Sequence, residues 1–185
     1  GQRWVDISGS GLGVSFLNDG KYSFNVKDNV FGLTVLRSPI YAHHDPKVPE
    51  ADFPYDYMDQ GLQSFTYSIL PHQGDWRMAR TVRAAAEINQ AVPVLITTGH
   101  AGKLPLTAGW VGETTRNVDL VALQGGDAGS GCVVGLQETN GLPCQFDLEL
   151  PLVGSSIPVR IGAYEIQTIR IEPDGSSRVV NLLEE

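Results

Sequence analysis

The chain has 185 residues, 42% of them hydrophobic, enough for one domain with a well-buried core. Its 13 basic residues stand against 21 acidic ones, and the formal charge of −8 has the wrong sign for neutralising phosphates, which argues against nucleic acid as a partner. No run of ~18 apolar residues could span a bilayer, and the N-terminal GQRWVDISGS lacks the basic-then-apolar order of a signal peptide, so the expectation is a soluble chain with no membrane partner.

In chain order, Val14–Leu17, Tyr22–Lys27 and Val30–Arg37 read as strands, separated by Asn18-Asp19-Gly20 and Lys27-Asp28-Asn29, residues that tolerate the positive φ of tight turns. The stretch from 40 to 60 mixes prolines, acids and aromatics without any period and reads as a long loop of the kind that carries function or lacks order. A strand is expected over Leu62–Leu70. From Asp75 to Gln90 the period changes. At 100° per residue Met78, Ala79, Val82, Ala85 and Ala86 share one side while Arg80, Arg83 and Glu87 take the other, which predicts a single amphipathic helix capped by Asp75.

Further strands are expected over Val92–Thr97, Val118–Leu123, Cys132–Gln137, Gln145–Leu150, Glu165–Glu172 and Arg178–Leu183, with hairpin turns at Asn140-Gly141 and Asp174-Gly175. Residues 98–117 form a second irregular region. The regular spacing of short strands predicts an antiparallel β-sandwich, read as a single domain over 1–185.

The two cysteines, Cys132 and Cys144, read as free thiols. A two-residue hairpin at Asn140-Gly141 would set Thr139 opposite Leu142, Gln137 opposite Cys144 and Cys132 opposite Glu149. The sulfurs would then lie about 15 Å apart at ~3.3 Å per residue, beyond disulfide reach. Free thiols fit a reducing compartment, hence a cytoplasmic location.

Several blocks carry a resemblance: RWVDIS (Arg3–Ser8), GVSFLNDGKYSFNVKDNVFGLTVLRSP (Gly13–Pro39), FTYSILPHQGDW (Phe65–Trp76) and AEINQAVPVL (Ala86–Leu95). Together and in this order they resemble the C-terminal region of glycoside hydrolase family 38, the α-mannosidases. NVDLVALQ, VVGLQETNG and AYEIQTIRI agree less closely, and VALQGGDAGSG and VVGLQET depart from the family's more charged wording. The resemblance, with a bacterial look, implies a supersandwich fold of the galactose-mutarotase-like kind with the one helix around 75–90. It also implies a zinc-dependent, retaining parent enzyme acting on α-mannosides. Its nucleophile and zinc ligands would lie in an N-terminal catalytic domain absent from these residues, leaving no catalytic residue and no metal site here. The chain's partners would be that catalytic domain and a mannose-containing carbohydrate.

Retaining hydrolysis needs two carboxyl groups ~5 Å apart, and 21 acids offer too many pairings for sequence to choose one. His43-x-Asp45 matches the start of the family's metal motif, but Val48 stands where the motif has Trp, and His43, His44 and Asp45 read as a solvated loop. Arg37 is the strongest substrate-binding candidate: it closes the strand before the long loop, and the resemblance implies an arginine of this region near the mannose cleft. A guanidinium fork holds hydroxyls well; the alternative is a salt bridge to Asp45, Asp52 or Asp56. Trp110, between glycines in a loop, is the candidate for an exposed ring that stacks on sugar, whereas Trp76 reads as core and His72 as a structural hydrogen-bonding group. The functional expectation is a non-catalytic C-terminal domain that buttresses the catalytic domain and lends Arg37 to the cleft wall. An independent carbohydrate-binding module and a scaffold with protein partners alone are the rivals.

Overall fold

The computed structural model describes residues 1–40, 48, 50–99, 101–103, 105–126, 130–151 and 154–185. It is mostly β, with antiparallel sheets, one helix and no closed barrel. The chain divides into two compact units, Gly1–Val92 and Pro93–Glu185.

In the first unit, β1 (Trp4–Gly9), β2 (Leu12–Asn18) and β5 (Tyr67–Gln73) form an antiparallel sheet in the order β1-β2-β5. Ser10 and Gly11, with φ of 49° and 87°, make a two-residue turn with both residues at positive φ, the geometry that matches strand twist. Along the central strand β2, Gly13, Ser15 and Leu17 are buried on one face. On the other, Phe16 stacks on Phe31 of the hairpin β3 (Phe24–Lys27) and β4 (Val30–Leu33), with ring centroids 4.0 Å apart. Asp28 and Asn29, at φ 50° and 62°, form the β3–β4 turn that the sequence predicts.

The predicted strand 62–70 is displaced to Tyr67–Gln73 and runs through Pro71. β5 lies at the sheet edge, where a residue without an N–H breaks no ladder. The strand expected to reach Arg37 ends at Leu33, since β4 pairs only with the four residues of β3.

The helix α1 is Thr81–Asn89, shorter than the predicted 75–90. Asp75 does cap a turn, but the wrong one for that expectation: its Oδ1 accepts the Arg77 and Met78 backbone N–H groups at 3.0 and 3.1 Å. Arg80 then adopts φ 55° and separates that turn from α1. The buried side of α1 is Thr81 and Ala85, packed on β2, while Met78 before it is exposed. Arg83 and Glu87 lie outward with Nε and Oε1 3.3 Å apart. Because both are exposed, Arg83→Ala is expected to change unfolding free energy by no more than about 0.5 kcal/mol, checked by urea denaturation.

The second unit has two layers. One is the sheet β11-β10-β7-β6, made of β6 (Val118–Gly125), β7 (Cys132–Glu138), β10 (Ile166–Ile171) and β11 (Ser177–Val180). The other is the hairpin of β8 (Cys144–Leu150) and β9 (Ser155–Ile161). Strict alternation buries Leu148 and Leu150 on β8 and Ile157, Val159 and Ile161 on β9. These pack on Val118, Val134, Leu136, Ile169 and Ile171 of the larger sheet. Each such side chain contributes roughly 1.5–3 kcal/mol by leaving water.

Three strand expectations fail here. Asn140-Gly141 does not close a β7–β8 hairpin: β7 already has β6 and β10 on its two edges, so the chain crosses to the other layer and β8 pairs with β9. The register proposed for the cysteines fails with it, although both cysteines are free. β9 went unpredicted because Pro158 interrupts its pattern, which an edge position tolerates. Residues 92–97 form no strand; Val92, Val94, Leu95 and Ile96 are largely exposed, and Pro93 removes a donor from the segment.

Candidate functional site

Arg37 lies four residues beyond the end of β4, in an exposed segment without regular structure. Among the described residues no ion pair ties it to Asp52 or Asp56, so the loop-pinning salt bridge is not made with either; His43, His44 and Asp45 lie outside the described residues. Beside this segment is an apolar cleft of about 240 Å³ lined by Phe16, Phe31, Leu33, Val35, Phe65 and Tyr67. Val35 and Leu36, which lead to Arg37, are 42% and 52% exposed. Trp110 belongs to the second unit and is 66% exposed beside a separate cleft. Trp76 packs on Trp4, ring centroids 5.2 Å apart, with the Arg77 guanidinium 4.2 Å from its ring centre.

A buried polar cluster that sequence reasoning missed joins β1, β2, β5 and α1. Ser15 Oγ donates to Asp6 Oδ1 at 2.6 Å and lies 2.7 Å from Thr81 Oγ1, while His72 Nε2 is 2.7 Å from the same Asp6 oxygen and 3.1 Å from Ser15 Oγ. Ser8 also donates to Asp6. Burial pushes the Asp6 carboxyl up, but the hydrogen bonds from Ser15, Ser8 and His72 outweigh it and hold it below its usual range.

Serine, histidine and aspartate together invite a nucleophilic reading, which the geometry contradicts. A relay needs the two imidazole nitrogens to serve different partners, aspartate on one and serine on the other. Here Nε2 meets both, and Nδ1 reaches only the Gln73 carbonyl at 3.4 Å. Ser15 and Thr81 are fully buried, so no substrate reaches the hydroxyl. The cluster is structural, in keeping with the reading of His72. A Cβ on Gly13 would collide with the His72 ring, so the imidazole occupies space that glycine leaves open.

Glu138 holds the second unit's layer crossing. Fully buried, it accepts Asn117 Nδ2 at 2.9 Å and the Asn140 N–H at 2.8 Å on Oε1, and the Gly141 and Tyr164 N–H groups at 2.7 and 2.8 Å on Oε2. Burial alone raises its pKa, yet these donors, led by the Tyr164 and Asn140 amides, bring it down to about 2. Such a carboxylate is a fixed anion, with no proton to give near neutral pH.

Among the described residues no three His, Cys, Asp or Glu side chains converge to hold a metal ion.

Comparison with known proteins agrees with the wording of the N-terminal blocks. Residues 1–49 match the family model described as the glycosyl hydrolases family 38 C-terminal domain. Alpha-mannosidase 2C1 of Homo sapiens is 36% identical over 87 residues, 47% of this chain and 7% of the relative. Alpha-mannosidase G of Dictyostelium discoideum is 35% identical over 89 residues, 48% of this chain and 7% of the relative. The Alpha-mannosidase of Saccharomyces cerevisiae is 37% identical over 87 residues, again 47% and 7%. The aligned part thus spans about 7% of these relatives' length. All three are eukaryotic, so the bacterial look of the wording has no counterpart among them. No described helix is long and apolar enough to cross a membrane. The family match over residues 1–49 and the α-mannosidase relatives agree in placing the likeness of this chain in the C-terminal domain of glycosyl hydrolase family 38.

Proposed function

We propose that these residues are a non-catalytic β-rich part of a zinc-dependent, retaining α-mannosidase, which buttress the enzyme's own N-terminal catalytic domain and lend Arg37 to the wall of the mannose cleft. The observation that carries this reading is where the family match falls. Residues 1–49 include all of β1 to β4 and the exposed run Val35-Leu36-Arg37 beside an apolar cleft. Apolar exposure next to an arginine suits a surface that docks on another domain and presents a hydroxyl-binding group at its rim. Chemistry on the glycosidic bond belongs to the catalytic domain, as does its zinc; the substrate of the whole is a mannose-containing glycan, and the free cysteines fit a cytoplasmic setting.

Arg37 is tested in the longer protein that carries this chain. Arg37→Ala is expected to lower kcat/KM on an aryl α-mannoside by about tenfold or more, equivalent to about 1.4 kcal/mol of transition-state binding. Arg37→Lys should recover only part of that loss, because the ammonium lacks the planar fork. Unchanged kinetics in both variants would remove Arg37 from the cleft.

A further inference from the structure

In the second unit, an exposed aromatic ring, an apolar floor and a carboxylate line one cleft of about 210 Å³. Its floor is Leu150 and Ile171, each 4% exposed, with Cys132 and Pro173 beside them and Trp110 at the rim. The loop bearing Trp110 is fastened to β8. The Gly112 N–H donates to the Glu149 carbonyl at 2.8 Å, and a Cβ on Gly112 would approach Glu149 Cβ to 2.8 Å, so glycine is what lets the loop lie this close. The carboxylate is Glu172. Its Oε1 receives Arg170 Nε at 2.7 Å, and Arg170 is itself fixed by Glu184 at 2.7 Å and the Ser130 carbonyl at 3.1 Å. Glu172 is thus oriented through one oxygen, and among the described residues no hydrogen bond uses Oε2.

We propose that this cleft is a binding site for the pyranose ring of a neutral sugar, whose C–H face lies on Trp110 while a hydroxyl donates to Glu172 Oε2. Arg170 is shared between Glu172 and Glu184, so Glu172 stays ionised and keeps a strong hydrogen-bond acceptor in Oε2. A wholly apolar ligand would strip water from Oε2 without replacing its hydrogen bond, at a cost of order 1–3 kcal/mol. The volume is below the roughly 300–1,000 Å³ of drug-sized pockets and suits a single ring. A pyranose supplies both the apolar face and the donor edge. That the ring is a mannoside rests on the proposed function; that it is a sugar ring rests on the cleft.

The test is an indole N–H NMR titration of the 185-residue chain with methyl α-mannoside, methyl α-glucoside and cyclohexanol, backed by sugar-detected saturation transfer. Three indole resonances are available, from Trp4, Trp76 and Trp110, and that of Trp110 is identified by its loss in Trp110→Phe. The expected result is a saturable shift of the Trp110 resonance with methyl α-mannoside while the other two stay in place. Trp110→Ala should weaken binding about tenfold or more, and Trp110→Phe, which keeps a flat face, no more than about threefold. Unmoved Trp4 and Trp76 resonances report an intact first unit in each variant, and an unchanged methyl spectrum does so for the second. Binding of the glucoside but not the mannoside upholds the sugar-ring site and contradicts the mannose assignment. No saturable shift with either glycoside, full binding in Trp110→Ala, or equal binding of cyclohexanol overturns the proposal.

Discussion

Glu138→Ala is expected to lower the unfolding free energy by at least about 3 kcal/mol, the largest single-residue effect in the second unit. The substitution removes the acceptor shared by the Asn117 amide and the Asn140, Gly141 and Tyr164 N–H groups, of which Asn117 keeps the Leu142 carbonyl, and each buried donor that loses its hydrogen bond costs of order 1–3 kcal/mol. Glu138→Gln should lose less but still lose, since its NH₂ faces donors and only one oxygen remains. Chemical denaturation measures both. The same carboxylate makes stability sensitive to acid. Its folded pKa of about 2 lies below its ordinary 4.5, so its contribution is complete above pH 4.5 and is lost as pH falls toward 2. In Glu138→Ala that part of the acid dependence should vanish, and an unchanged acid profile would assign it elsewhere.

Asp6→Ala is the counterpart in the first unit, with an expected loss of about 2–4 kcal/mol. It removes the acceptor shared by Ser15, Ser8 and His72, while Thr81 remains as a partner for Ser15. Since hydrogen bonding holds the Asp6 carboxyl below its usual range, the stabilisation is present above pH 3.8 and fades as the pH drops below it. Asp6→Asn, which keeps one acceptor oxygen, should fall between wild type and Asp6→Ala. A loss under 1 kcal/mol for Asp6→Ala, measured by urea denaturation, would show the cluster to be incidental.

The strands were legible where the pattern is local. Asp28-Asn29 and Asp174-Gly175 sit between alternating runs, and both close hairpins. The Asn140-Gly141 signal is as strong, yet it bends the chain between layers. Turn chemistry specifies a bend, whereas pairing depends on which strand edges are free, and β7 has none left. Edge positions likewise let β5 and β9 run through prolines that read as strand breakers. The Asp6, Ser15, His72 and Thr81 cluster could not be read from spacing, because residues 66 positions apart meet only once β1, β2, β5 and α1 are assembled. Glu138 was hidden for the same reason, its donors coming from 117, 140, 141 and 164. The likeness to family 38, by contrast, was legible in wording, and the blocks Arg3–Ser8 and Gly13–Pro39 lie within the matched residues 1–49.

The proposed role is that these residues support mannoside hydrolysis by a longer protein without performing it. The direct measurement is turnover of an aryl α-mannoside, with zinc present, by the longer protein carrying this chain, by the same protein lacking residues 1–185, and by the 185 residues alone. The account predicts turnover by the first, loss of at least about a hundredfold on deletion, about 2.7 kcal/mol, and none above buffer for the isolated chain. Robust hydrolysis by the isolated chain, or undiminished hydrolysis without it, would contradict the account.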